Sequence, residues 1–134
     1  MPKLVDIEGV GAKFATKLEK AGVKSTGDLL KKGATPAGRK EIAEKSGVND
    51  HQILEWVNRV DLYRIKGVGS EYSALLEAAG VDTVVELGTR KAANLVAKMV
   101  ELNTAKKKVR KLPTQVQVED WIAQAKKLPR VVKY

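Results

Sequence analysis

IEGVGAKFATKLEKAGVKSTGDL, residues 7–29, and IKGVGSEYSALLEAAGVDTVVEL, residues 65–87, are two versions of one segment. Ten of the 23 aligned positions are identical, all at an offset of 58. They include Ile7/Ile65, the glycine pairs Gly9/Gly67 and Gly11/Gly69, Leu18/Leu76, Gly22/Gly80 and Leu29/Leu87. Phe14/Tyr72, Ser25/Thr83 and Asp28/Glu86 are chemically similar. An internal repeat of this length means that one supersecondary unit occurs twice. Further along, ILEWVNRV at 53–60 matches VEDWIAQA at 118–125, with Trp56 opposite Trp121 at an offset of 65. The second copy therefore carries about seven extra residues, expected in the basic stretch 103–113.

The local signals are helical throughout. Gly22 and Gly80 follow amphipathic segments and read as helix ends. Ser25-x-x-Asp28 and Thr83-x-x-Glu86 read as capping boxes, as do Asn49-x-x-Gln52 and Thr114-x-x-Gln117. Thr35-Pro36 is an N-cap with proline in the first turn, and Gly47 ends that helix. Ile53, Trp56, Val57 and Val60, like Val118, Trp121, Ile122 and Ala125, fall at i, i+3, i+4, i+7 and define one apolar face. Both tryptophans are thereby expected in the core. QVQV at 115–118 alternates like a strand, but the capping box outweighs it. The expected fold is all-α: two pseudo-symmetric repeats of about five helices each, residues 1–60 and 61–134, packed as one compact helical unit.

Composition narrows the chemistry. The 134 residues are 43% hydrophobic and 31% charged, which suits a folded chain. No apolar run approaches the ~20 residues that span a bilayer, and no signal-peptide core opens the chain. A cytoplasmic protein with no membrane partner is expected. The chain has no cysteine and a single histidine, His51, which argues against thiolate or histidine metal sites and histidine-based triads. No cofactor and no catalysis are expected. The net charge of +9 is uneven: +3 over residues 1–60, −1 over 61–104 and +7 over 105–134. A clustered basic surface suits a polyanion.

Gly9-Val10-Gly11 and Gly67-Val68-Gly69 each join a short apolar segment to an amphipathic helix. Glycine permits a tight turn and a close approach of a ligand to the backbone. The valine anchors the turn, and the amides after the second glycine begin a helix, which attracts an anion. A dinucleotide-binding loop is excluded. Phe14 and Tyr72 replace its third glycine, and no strand precedes the turn. The pattern of Ile7 or Ile65, the glycine pair, and a small residue near the helix's fourth position (Ala15 or Ser73) resembles the helix-hairpin-helix family. That resemblance implies that each cradle holds one DNA backbone phosphate without base reading. The overall layout, including the ending LPRVVKY, also resembles a family known only as a domain of unknown function with DNA-ligase-like helix-hairpin-helix repeats. It implies a SAM-domain-like arrangement.

The copies differ where charge matters. Lys13 follows Gly11 by two places and Lys17 lies one turn on, whereas Glu71 and Leu75 occupy those places in the second copy. The shared glycines predict similar backbone geometry at both turns. The candidate nucleic-acid-binding residues are Gly9, Val10, Gly11, Ala12, Lys13 and Lys17 in the first copy, and Gly67, Val68, Gly69 and Ser70 in the second. Lys106, Lys107, Lys108, Arg110 and Lys111 are candidates to track a phosphate backbone, or else form one solvated helix face with Val109 and Leu112 on the apolar side. Glu41 with Glu44, and Glu119 with Asp120, read as helix charge pairs beside lysines. The leading expectation is sequence-independent nucleic-acid binding, with DNA as partner before RNA. The rival is a protein-interaction or scaffold module, with a protein partner or a homo-oligomer.

Overall fold

The computed structural model describes residues 3–106 and 109–134, with backbone alone at positions 105 and 106. Among the described residues there are eight α-helices, a 3-10 turn at Leu4–Asp6 and no strand. The helices are α1 (Gly11–Lys20), α2 (Thr26–Lys32), α3 (Pro36–Ser46), α4 (Asp50–Leu62), α5 (Ser70–Ala78), α6 (Val84–Gly88), α7 (Ala92–Lys106) and α8 (Gln115–Lys127). None of them is long and apolar enough to cross a membrane. The chain divides into two compact units: Met1–Asp61 with Val131–Tyr134, and Leu62–Arg130.

In the first unit, α1 packs on the 3-10 turn and on α3, and α2 packs on α3. Its core holds Ile7, Leu18, Val23, Leu29, Ile42, Ile53, Trp56 and Val57, all buried. Val132, close to the end of the chain, is buried too. That end is held by Arg39. Its Nη1 donates to the Gly33 carbonyl at 2.8 Å and its Nη2 to the Lys133 carbonyl at 2.7 Å. The Lys133 amide donates to the Ala34 carbonyl at 2.7 Å. Burial lowers the pKa of the Arg39 guanidinium, opposed by the charges of Tyr134 and Asp50.

In the second unit, α8 packs on α6 and α7, and α5 packs on α7. Leu62, Ile65, Leu75, Leu76, Val81, Leu87, Met99, Val118 and Trp121 form its core. Both expected tryptophan helices form, and Gln115 opens α8 rather than a strand.

The helix ends follow local chemistry. Gly22 and Gly80 adopt φ of +88° and +92° just past α1 and α5. The Val23 amide reaches the Leu18 carbonyl and the Gly22 amide the Glu19 carbonyl. Val81 to Leu76 and Gly80 to Glu77 repeat both bonds. This is the paired closure that a left-handed glycine allows at a helix C-terminus. At the N-termini, Thr114 and Gln117 cap α8 reciprocally. The boxes expected at Ser25 and Thr83 close by half. Each side-chain oxygen accepts from the residue three places on, but the Asp28 carboxylate accepts from the Lys24 amide and Glu86 accepts from Arg90. At α4, Asn49 caps the His51 amide while Gln52 turns to Glu55.

Candidate nucleic-acid interface

The turn at Gly9–Gly11 is built from below. Val10 is buried, and its amide donates to the Ile7 carbonyl at 3.0 Å. Gly9 has φ +89°, and a Cβ there would stand 3.5 Å from Trp56 Nε1 and 3.6 Å from Arg59 Nη1. The fully buried Trp56 lies beneath the turn and tilts against Phe14, with ring centroids 5.3 Å apart. Its Nε1 has no hydrogen-bond partner among the described residues. Arg59, one turn after Trp56, donates to the Glu8 carbonyl just ahead of Gly9.

Gly67–Gly69 is built from the matching parts. Val68 is buried and bonds to the Ile65 carbonyl at 3.1 Å, and Gly67 has φ +100°. A Cβ on Gly67 would stand 3.0 Å from Trp121 Nε1. Trp121 tilts against Tyr72 with centroids 5.2 Å apart. Gln124 occupies the place of Arg59. Its Oε1 accepts from the Lys66 amide at 2.8 Å and its Nε2 donates to the Lys66 carbonyl at 3.1 Å. Sequence reasoning missed Arg59 and Gln124. Each sits three residues after the aligned tryptophan, but that spacing does not name the turn as its partner.

The second glycine is where similar geometry was expected and the backbones part. Gly11 has φ +62° and opens α1, while Gly69 has φ −111° and ψ −161° and caps α5 in an extended conformation. Equal glycines permit both conformations, so the repeat alone could not decide between them. At both positions the space that a Cβ would fill is open. Neither α1 nor α5 has a side-chain hydrogen bond at its N-cap, and α1 has no acidic residue in its first turn. Ala12 and Lys13 are exposed beside Gly11. Lys17 is half-buried, its Nζ 5.5 Å from the centre of the Phe14 ring, so part of its charge faces an aromatic surface. At α5 the exposed Glu71 stands in the first turn, and the Ser70 carbonyl accepts from Ser73 Oγ.

The basic stretch is only partly helical. α7 runs to Lys106, four residues longer than α3, and the chain from Val109 to Lys111 is irregular. Val109 is buried and its amide donates to Asn103 Oδ1 at 3.0 Å. A single helix face across Lys106–Leu112 is thereby ruled out. Lys107 and Lys108, and the side chain of Lys106, lie outside the described residues. Arg110 and Lys111 are exposed. The Tyr72 hydroxyl donates to the Lys111 carbonyl at 2.9 Å, which fixes this basic segment beside the first turn of α5. The first copy has Phe14 at that place and no such tie.

The remaining acidic candidates resolve simply. Glu41 pairs with Lys45 at 2.8 Å, as expected of a helix charge pair. Glu119 and Asp120 accept from Gln115 and Gln124 rather than from lysines.

An all-helical chain with two glycine turns, each seated on a buried tryptophan, defines the class of protein. The particular family follows from comparison: over residues 8–128 the chain matches, and belongs to, the family described as Domain of unknown function (DUF4332). No curated protein and no solved structure matches it.

Proposed function

We propose that the protein is a non-enzymatic, sequence-independent nucleic-acid-binding module, with DNA as its expected partner. The two glycine turns act as helix-hairpin-helix elements in a pseudo-symmetric pair. One observation carries the reading. Among the described residues the α1 N-terminus is uncapped by any side chain, free of acidic residues in its first turn, open where a Gly11 side chain would stand, and flanked by the exposed Lys13. The amides of Gly11, Ala12 and Lys13 present donors and the positive end of the helix dipole to one phosphate, and Lys13 adds a charge. Phosphate contact of this kind positions the protein without reading bases.

The second turn is the weaker site because Glu71 repels an anion there. Arg110 and Lys111, held near by Tyr72, offset part of that repulsion. Exposed charges act through solvent, so each is worth about 1 kcal/mol. Lys13→Glu replaces a favourable charge by an unfavourable one and is therefore expected to weaken duplex DNA binding about tenfold or more, and Glu71→Lys to strengthen it. A fluorescence-anisotropy titration against duplex, single-stranded and branched DNA, with an RNA duplex alongside, measures both. If both variants bind as the parent does, the turns are structural joints and the module is a protein-interaction scaffold instead.

A further inference from the structure

A cleft of about 400 Å³ in the second unit has no part in the reading above. It lies where the connection from α6 meets α7. Its apolar floor is Ala79 and Leu95, both buried, and its rim carries Arg90, Lys91 and Lys98. None of its lining residues is acidic. Arg90 is set in place beforehand. Its Nε and Nη2 donate to Glu86 Oε1 at 3.2 and 2.8 Å, and Nη2 donates to the Gly80 carbonyl at 2.9 Å. Glu86 offsets much of the Arg90 charge, so the net field comes from Lys91 and Lys98. Both are exposed, and neither forms an ion pair among the described residues.

The helix geometry aims these groups together. Asn94 and Lys98, four residues apart on α7, share one face, and Lys91 immediately precedes the helix. Two helical turns separate the lysines by roughly 10 Å along the axis. Asn94 stands between them with an amide donor. The first turn of α7 carries no acidic residue, so its backbone adds positive potential. A cavity of this size is in the range that takes a small ligand or part of a larger one.

We propose that this cleft binds a ligand through its phosphate groups, held by Lys91, Lys98 and Asn94 beside the fixed Arg90, with the apolar floor taking the uncharged part. Ammonium groups and a guanidinium around a helix start favour phosphate oxygens. The separation of the lysines favours a ligand with more than one phosphate. The site is independent of the α1 turn.

The test is an amide-resolved NMR titration of the full chain with inorganic pyrophosphate, at ionic strength held constant with sodium chloride. Saturable shifts centred on residues 92–95 are expected, with a dissociation constant of about 1 mM or tighter. Lys91→Gln with Lys98→Gln, both at exposed positions, should weaken that binding about tenfold or more. Lys13→Glu should leave it unchanged, which separates failure here from failure at the α1 turn. A short thymidine oligonucleotide that shifts the same amides and is displaced by pyrophosphate identifies the source as a nucleic-acid backbone. Pyrophosphate binding that the oligonucleotide does not displace identifies a phosphorylated small molecule. Non-saturable shifts, or shifts of equal size in the double lysine variant, overturn the proposal.

Discussion

Gly9 and Gly67 show how much of this protein is decided at single residues. Each has a positive φ that L side chains avoid, and each faces an indole nitrogen. Alanine in a left-handed conformation costs about 1–2 kcal/mol. Gly9→Ala is expected to lose about that much. Gly67→Ala is expected to lose more, because its Cβ stands 3.0 Å from Trp121 Nε1 where the Gly9 distance is 3.5 Å. Urea unfolding of both variants checks the ranking; equal losses would show that the indoles yield without cost. Beneath the turns, Trp56→Ala and Trp121→Ala should each cost about 3–5 kcal/mol, since both side chains are buried. Tyr72→Phe is a milder case. It restores the first copy's residue and removes one hydrogen bond, worth about 1 kcal/mol. It should also release the backbone of Lys111, visible as faster amide exchange over 109–112.

At the scale of elements, the helices are set by their caps. α8 has both halves of its capping box, so Thr114→Ala leaves the Gln117 amide unpaired and removes the cap. A loss of about 1 kcal/mol is expected. Ser25→Ala removes a single bond at α2, where Asp28 serves the Lys24 amide instead, and should cost less. Measuring both by thermal unfolding tests whether reciprocity matters. On α3 the Lys45 hydrogen bond holds the Glu41 carboxyl below its ordinary pKa, and the same bond raises that of Lys45. The sign follows. Glu41 contributes above its unfolded pKa and loses that contribution as pH falls through its lowered folded value. Lys45 contributes below its unfolded pKa and loses it as pH rises through its raised value. The stability difference between the parent and Glu41→Gln should therefore shrink in acid. A constant difference across that range would mean that the pair contributes nothing. Both groups are fully exposed, so the effect is small.

For the whole molecule, two features span long stretches of chain. Arg39 bonds to a carbonyl 94 residues away. A lysine cannot make the same forked contact, so Arg39→Lys should lose about 1.5–3 kcal/mol and expose the amides of 131–133 to exchange. Retained protection there would show that the Lys133–Ala34 bond and the buried Val132 hold the segment without Arg39. The second feature is net charge. If about 4–6 phosphates are contacted, DNA affinity should fall by about two to three decades between 50 and 200 mM salt. Affinity that is flat with salt would remove the nucleic-acid reading.

The sequence by itself determined the helices and most of what ends them. Capping residues, left-handed glycines and the 3.6-residue period are local chemistry, and local chemistry is written residue by residue. It also determined that the tryptophans are buried, because their i, i+3 and i+4 neighbours are apolar. Contacts between distant segments were decided only in the tertiary structure. Arg59 on Glu8, Gln124 on Lys66, Tyr72 on Lys111 and Arg39 on Lys133 each join groups whose pairing no short-range pattern encodes. The same holds for Gly11 and Gly69. Glycine admits several backbone conformations at little cost, so identical residues at the two turns took different ones.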